Sequence, residues 1–291
     1  MEFAFKFEEG GPSSIPSDGD SRTSDDAPGT SPERIELVGL FDYQPAAPSL
    51  PALVVEGVYE GGAQVWEATT FLLAFLRDER GGAGALSAAR CVADLGCGAG
   101  RLACAALEAC APCGGGGGGG GGGALRSLLM TDLNAQVLRS VAAPAVRDEL
   151  ARQAQQGRVA LASAPAQHPV RVELVAGSWS AILSSLSSPV AGQRLLRASG
   201  ADLVLSAETL YRPAELPSLC ALIHALLAPR GEALLATKRF YFGRDLGGGT
   251  AALIAAAEAH GRLRAVVVRS KEDGVSMNLD IIRVTHEGFA D

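Results

Sequence analysis

From position 66 onward two hydrophobic patterns alternate along the chain. Short, nearly continuous apolar runs occur at 91–95, 128–132, 170–175, 202–206 and 232–237. Between them lie stretches with helical spacing of apolar residues at 66–78, 102–108, 135–154 and 214–227. Runs without a polar face read as strands covered on both sides, and their alternation with helices predicts a parallel sheet. The end breaks the pattern. A helix at 251–260 is followed by two strands, 264–269 and 277–284, around Lys271-Glu272-Asp273-Gly274. A closing strand pair implies that one strand returns antiparallel. The expected fold is α/β: a doubly wound, Rossmann-like, seven-stranded sheet, mostly parallel, with one antiparallel strand near the C-terminus.

Residues 10–34 lack apolar spacing and are rich in Gly, Pro, Ser and Asp. Such a segment buries too little surface to offset its ordering entropy. Residues 1–34 are therefore expected to form a disordered acidic tail, and 35–291 the folded domain. The extreme start alternates Phe3, Phe5 and Phe7, which places the three rings on one face of any extended segment. That face could dock on a groove or simply fray. Met1–Glu9 has no apolar stretch, so no secretory leader is expected, and no uninterrupted apolar run is long enough for a membrane helix.

Composition adds three points. Glycine is abundant, 36 of 291 residues, but ten of these form one run, 114–123. That run has no side chains to pack and reads as a loose insertion at a loop. The formal charge is −7, of which the tail carries −5, so the folded body is nearly neutral. A bulk phosphate-binding surface is excluded, and no nucleic acid or membrane partner is expected. Six cysteines in so long a chain do not form a disulfide framework. Cys110-Ala-Pro-Cys113 has metal-ligand spacing without a second pair, so no metal is assigned. Reduced thiols point to the cytoplasm and nucleus.

The strongest local signal is Asp94-Leu95-Gly96-Cys97-Gly98-Ala99-Gly100, at a strand end and helix start. Glycines there allow close backbone approach to a ligand. A dinucleotide fingerprint needs its third glycine at position 101, which is Arg101. An acid two residues before the first glycine would repel a pyrophosphate but suits a cationic amino-acid group. The motif therefore reads as an S-adenosylmethionine loop, with Asp94 near the ammonium end. The next strand ends in Asp132, which could accept both ribose hydroxyls or merely cap the following helix. Trp179, after the third of these strands, is placed against an adenine ring or in the core. Glu208 and Tyr211 follow the fourth strand, at the end of the sheet where ligands bind. Lys238-Arg239-Phe240-Tyr241-Phe242-Gly243 follows the fifth and reads as a substrate lip or a hydrophobic plug.

These residues resemble the seven-strand, class I S-adenosylmethionine methyltransferases. The acid-x-x-Tyr motif Glu208-Thr209-Leu210-Tyr211 is similar to that of their protein-methylating group. Val58-Tyr59-Glu60-Gly61-Gly62, Val65-Trp66-Glu67, Asp132-Leu133-Asn134, Gly177-Ser178-Trp179-Ser180, Tyr241-Phe242-Gly243 and Gly247-Gly248-Gly249 resemble the protein-histidine methyltransferases, the methyltransferase-like protein 18 type. The resemblance covers about 55–285, in matching order. It implies a cofactor site built from Trp66, Glu67, Asp94, Gly96, Gly98, Gly100, Asp132, Asn134, Trp179, Ser206 and Thr209. Glu208, Thr209 and Tyr211 would face the transferred methyl, with Glu208 and Tyr211 as the catalytic pair. The implied substrate is a histidine of a large-subunit ribosomal protein, and a monomer is expected. The chain departs from the family in its cysteine-rich, polyglycine insertion and in the short segment before Val58, which bears on substrate recognition. A lysine methyltransferase shares the acid-x-x-Tyr motif, and a non-catalytic scaffold that binds S-adenosylmethionine is a reading of another class.

Overall fold

Every residue of Cys91–Leu95 (β2) and Ser127–Asp132 (β3) is buried, as strands covered on both faces require. The computed structural model describes residues 33–36, 61–78, 83–109, 125–156, 170–187, 200–241, 247–272 and 278–288. Within it β2 and β3 lie in one mixed sheet. From one edge the strands run β1 (Glu33–Glu36), β4 (Arg171–Ala176), β3, β2, β5 (Ala201–Ala207), β6 (Leu227–Lys238), β8 (Leu279–His286) and β7 (Leu263–Lys271). β4, β3, β2, β5 and β6 pair in parallel. β8 returns antiparallel between β6 and β7, so the expected seven strands with one reversed near the C-terminus are present.

β1 adds an eighth strand, antiparallel on the outer edge of β4. It includes Glu33 and Arg34, so the boundary expected after residue 34 falls inside a strand. Its pairing occupies backbone groups that β4 would otherwise present at the edge.

Side chains alternate along the central strands and feed two cores. Val92 joins Leu72, Leu107 and Val146 under α1 (Glu67–Arg77), α3 (Arg101–Glu108) and α5 (Ala143–Gln155). Ala93 and Leu95 join Ile182, Leu219, Ile223 and Leu253 under α6 (Trp179–Ser187), α7 (Leu216–Leu226) and α8 (Thr250–His260). A short helix, α2 (Ala83–Ala88), tucks Leu86 into the first core, and a single turn, α4 (Ala135–Val137), opens the path to α5.

Four details differ from the sequence expectation. The helix expected over 135–154 is not uniform: Leu138–Ala142 is a π-turn, in which the Ala143 amide reaches Leu138 O. Pro144 has no amide hydrogen to offer Ser140, and the wider turn absorbs that loss. β6 begins at Leu227 rather than 232, with a register shift across Pro229–Gly231, where a proline cannot donate to the ladder. Helices α2 and α6 were not anticipated, because their Ala-, Gly- and Ser-rich sequences carry weak periodicity. The Phe3/Phe5/Phe7 start, Cys110–Cys113, the polyglycine run, Val58–Glu60 and Phe242 lie outside the described residues. Among the described residues no helix is long and apolar enough to cross a membrane, and no cluster of His, Cys, Asp and Glu is arranged to hold a metal.

Three histidines meet at the end of the sheet where β6 starts. His224 of α7 stacks edge-on with His260 of α8 and with His286 of β8, at 5.0 Å between centroids in each case. His224 Nδ1 and His286 Nδ1 are 3.2 Å apart, so at most one of them carries the shared proton. Burial, then His286, His260 and Arg262, hold His224 below its ordinary value. Folding therefore favours the neutral ring. Its contribution is complete above the unfolded value of about 6.5 and is lost as pH falls from there through the lower folded value. The thermal midpoint advantage of wild type over His224→Gln is expected to shrink between pH 7 and more acidic buffer. Parallel midpoint-versus-pH curves would refute this.

Candidate functional site

β2 runs into the glycine loop at the carboxyl end of the parallel strands. Gly96 and Gly98 adopt left-handed φ values of +67° and +49°. A Cβ at Gly98 would lie 2.6 Å from Gly62 O, and one at Gly96 would lie 2.5 Å from Thr209 Cγ2. Neither position accepts a side chain without movement of its neighbours. The loop is tied to β3 by Cys97 N–H donating to Thr131 O at 2.8 Å, and by Gly98 N–H donating to Asp132 Oδ2 at 3.0 Å. Asp132 Oδ1 accepts the Asn134 amide, also at 3.0 Å. Burial raises the Asp132 carboxyl above its ordinary value, while the amides of Asn134, Gly98 and Leu133 oppose the rise. Helix capping falls to Asn134, whose side chain accepts from Gln136 and Val137. The helix-cap reading of Asp132 therefore does not hold.

One open-sided cleft lies over this loop. Its wall contains Gly96, Gly98, Asp132, Leu133 and Trp179 together with Trp66, Glu208, Thr209 and Tyr211. The structure thus brings together eight of the thirteen expected site residues. The other five stand outside the wall. Glu67 is exposed on the first turn of α1. Gly100 precedes α3 as its left-handed N-cap, and Asn134 is the cap just described. Ser206 is buried, donating to Leu95 O at 2.8 Å with its oxygen 2.7 Å from Thr209 Oγ1. Asp94 is wholly buried beneath the loop, where Oδ2 accepts the Ala103 amide of α3 and Oδ1 has no hydrogen-bond partner. Burial pushes its carboxyl up to about 7, and the nearby Asp132 charge adds to the rise. The sequence alone could not separate wall from underlay, because Asp94, Gly100, Asn134 and Ser206 all lie at or just past strand ends, as Gly96, Asp132 and Glu208 of the wall do.

Glu208, also in this wall, has a left-handed φ of +57°, the one non-glycine with positive φ among the described residues. Its Oε1 accepts the Ala68 amide of α1 at 3.4 Å, and its Oε2 accepts the Tyr241 hydroxyl at 2.5 Å. Tyr241 follows β6 and stacks edge-on against Tyr211, 6.2 Å between centroids. Grouping it with its aromatic neighbours concealed this role. Phe240 is 58% exposed, whereas Tyr241 turns inward. Arg239, beside them, is fixed to β8 through two hydrogen bonds to Asp280, at 3.1 and 3.0 Å. Asp280 also accepts from Thr250 and Ser270. Against its burial, these partners hold it below the ordinary carboxylate range.

The donor set fits S-adenosylmethionine. A carboxylate at the end of β3 offers acceptors to ribose hydroxyls. Leu133 and Trp179 offer apolar surface to a base, and the unpartnered Asp94 oxygen beneath the loop favours a cationic tail.

No protein-family model matches the chain. It is 32% identical over 204 residues to "Histidine protein methyltransferase 1 homolog" of Bos taurus, an alignment covering 68% of this chain and 48% of that protein. The protein of that name from Rattus norvegicus is 30% identical over 203 residues, covering 67% and 49%. That from Dictyostelium discoideum is 24% identical over 236 residues, covering 80% and 60%. The chain spans about half the length of these mammalian relatives. Among solved structures, an O-methyltransferase family protein from Burkholderia thailandensis aligns with TM-score 0.45 at 14% identity, over 76% of this chain and 58% of that one. The N-methyltransferase NodS from Bradyrhizobium japonicum, solved with S-adenosyl-L-homocysteine, aligns with TM-score 0.43 at 15% identity, over 76% and 88%. The chain is thus a homologue of the proteins named histidine protein methyltransferase 1 homolog, and it has the seven-strand α/β sheet expected of the class I S-adenosylmethionine methyltransferases.

Proposed function

We propose that the chain is an S-adenosylmethionine-dependent protein-histidine N-methyltransferase whose substrate is a histidine of a large-subunit ribosomal protein. The observation that carries the activity is the cleft whose wall holds Asp132 and the glycine loop together with Glu208 and Tyr211. The names of the homologous proteins support it, and the ribosomal target rests on the sequence resemblance. S-adenosylmethionine, when bound, supplies a methyl group already activated by its positive sulfur. The chain then needs chiefly to align an incoming nucleophile with it. Asp132 and the loop amides would hold the nucleoside, with Trp179 beside the base. Glu208 would accept the N–H of the target imidazole, leaving the other ring nitrogen's lone pair to form the N–C bond as the C–S bond breaks. Positive charge then develops on the ring, so the Glu208 hydrogen bond strengthens in the transition state. The ring proton leaves to water afterwards. Tyr211 walls the site.

The carboxylate also bears on the lysine alternative. A carboxylate favours the protonated form of either nucleophile, but an imidazole starts from an ordinary value of about 6.5 and an amine from about 10.4, so near neutral pH the neutral, reactive form is far more accessible for histidine. The test is incubation with labelled S-adenosylmethionine and large-subunit ribosomal proteins, followed by peptide mapping. One methyl on a histidine is expected. Methyl on lysine would replace the proposal with the lysine reading. No labelled protein, despite S-adenosylhomocysteine binding, would favour a scaffold.

A further inference from the structure

Glu208 projects from a left-handed residue just beyond β5, at the edge of the cleft. A free glutamate side chain there would sample several rotamers, at an ordering cost of up to about 2 kcal/mol. Two donors from other elements prevent this. The Ala68 amide belongs to the first turn of α1, where backbone N–H groups have no partner within the helix. The Tyr241 hydroxyl arrives from beyond β6 and makes the shorter bond. Tyr241 is not part of the cleft wall, so its hydroxyl reaches a ligand only through Glu208. Its own position is determined on several sides. The ring meets Tyr211 edge-on, the hydroxyl is 3.2 Å from Thr237 Oγ1, and the Lys238 ammonium stands 5.9 Å from the ring centre. Arg239, two positions earlier in the chain, is anchored to Asp280 of β8.

We propose that Tyr241 is a positioning residue for the reaction: it orients the Glu208 carboxylate and keeps it an acceptor toward the target imidazole. This rests on the reading of the cleft as a histidine methyltransferase site. An ionised carboxylate offers about four lone-pair sites. Tyr241 and Ala68 occupy one on each oxygen, and the remaining acceptors are open to a ligand in the cleft that Glu208 lines. A phenol hydrogen-bonded in this way donates and takes no proton from Glu208. Burial and the Glu208 charge push the Tyr241 phenol well above its ordinary value, which keeps it a donor across neutral and mildly basic pH. The arrangement makes Glu208 and Tyr241 one unit, built from the ends of two neighbouring strands of the sheet.

Tyr241→Phe removes only the hydroxyl. Its kcat for histidine methylation is expected to fall about tenfold or more, as for loss of a group that assists an acid–base residue. S-adenosylhomocysteine affinity should stay near the wild-type value, since the hydroxyl is engaged with Glu208 and Thr237 and Tyr241 is not part of the cleft wall. The double variant with Glu208→Gln should be no slower than Glu208→Gln alone, because residues that act as a unit are not additive. Wild-type kcat in Tyr241→Phe, or two losses that multiply, would overturn the proposal. A second probe does not depend on the phenylalanine variant folding. Fluorinated tyrosine introduced at position 241 keeps the shape and hydroxyl but ionises at lower pH. Its activity should fall as pH rises through that ionisation while the wild-type profile stays flat. A profile superimposable on wild type would again overturn the proposal. Wild type runs beside each arm. An absence of histidine product from wild type overturns the cleft reading and this inference together, whereas normal wild-type product with unaffected variants overturns this inference alone.

Discussion

Glu208→Gln is expected to lower kcat for histidine methylation about a hundredfold, or about 2.7 kcal/mol of transition-state stabilisation. The change is isosteric, so the chain should fold and bind S-adenosylhomocysteine as wild type does. What it removes is the negative charge against which the imidazole becomes cationic. The neutral amide still accepts a hydrogen bond through its oxygen, so protein-substrate KM should move less than kcat. Single-turnover rates on a mapped histidine peptide, beside calorimetry with S-adenosylhomocysteine, separate the two effects. A variant with unchanged kcat would remove Glu208 from the mechanism and leave its hydrogen bonds to Tyr241 and Ala68 as packing.

Asp132→Ala should have the largest effect on cofactor binding. The side chain accepts the Gly98 and Asn134 amides and is 8% exposed. Hydrogen bonds to a charged group contribute about 1.5–3 kcal/mol each, and a donor left buried without a partner costs about 1–3 kcal/mol. The variant loses the bonds to the Gly98 and Asn134 amides together with the acceptors proposed for the ribose, while the Cys97–Thr131 backbone bond remains. S-adenosylhomocysteine affinity should fall about a hundredfold or more, and the thermal midpoint by several degrees. Asp132→Asn should fall between, since one carbonyl oxygen can still take one of the amides. Unchanged affinity in Asp132→Ala, measured by calorimetry, would move the nucleoside away from the end of β3.

The sheet was largely legible in the sequence because its central strands are buried on both faces and so lack polar interruptions. The runs at 91–95 and 128–132 coincide with β2 and β3 to within a residue. β1 was not legible. Four residues without an apolar run join the sheet only because β4 presents an edge, which is information held by another part of the chain. The π-turn followed from one proline whose effect on a helix depends on the partner it denies. In the cleft, Gly96, Gly98, Asp132 and Glu208 were legible because a strand end followed by glycine or an acid constrains the chemistry by itself. Tyr241 was not, since its significance lies in a hydrogen bond across 33 positions to a residue on another strand. Asp94 shows the converse: motif spacing identified it, and burial took it out of the wall.

The backbone at Glu208 has a consequence for anyone who tries to engineer this chain. A left-handed conformation in a non-glycine residue costs about 1–3 kcal/mol, and glycine at the same place carries little of that cost. A library of variants ranked by heat tolerance would therefore tend to promote glycine at 208 and discard the carboxylate on which the proposed chemistry turns. Robustness and turnover pull in opposite directions at this one position, so a thermostability screen without an activity readout would select away from methyl transfer.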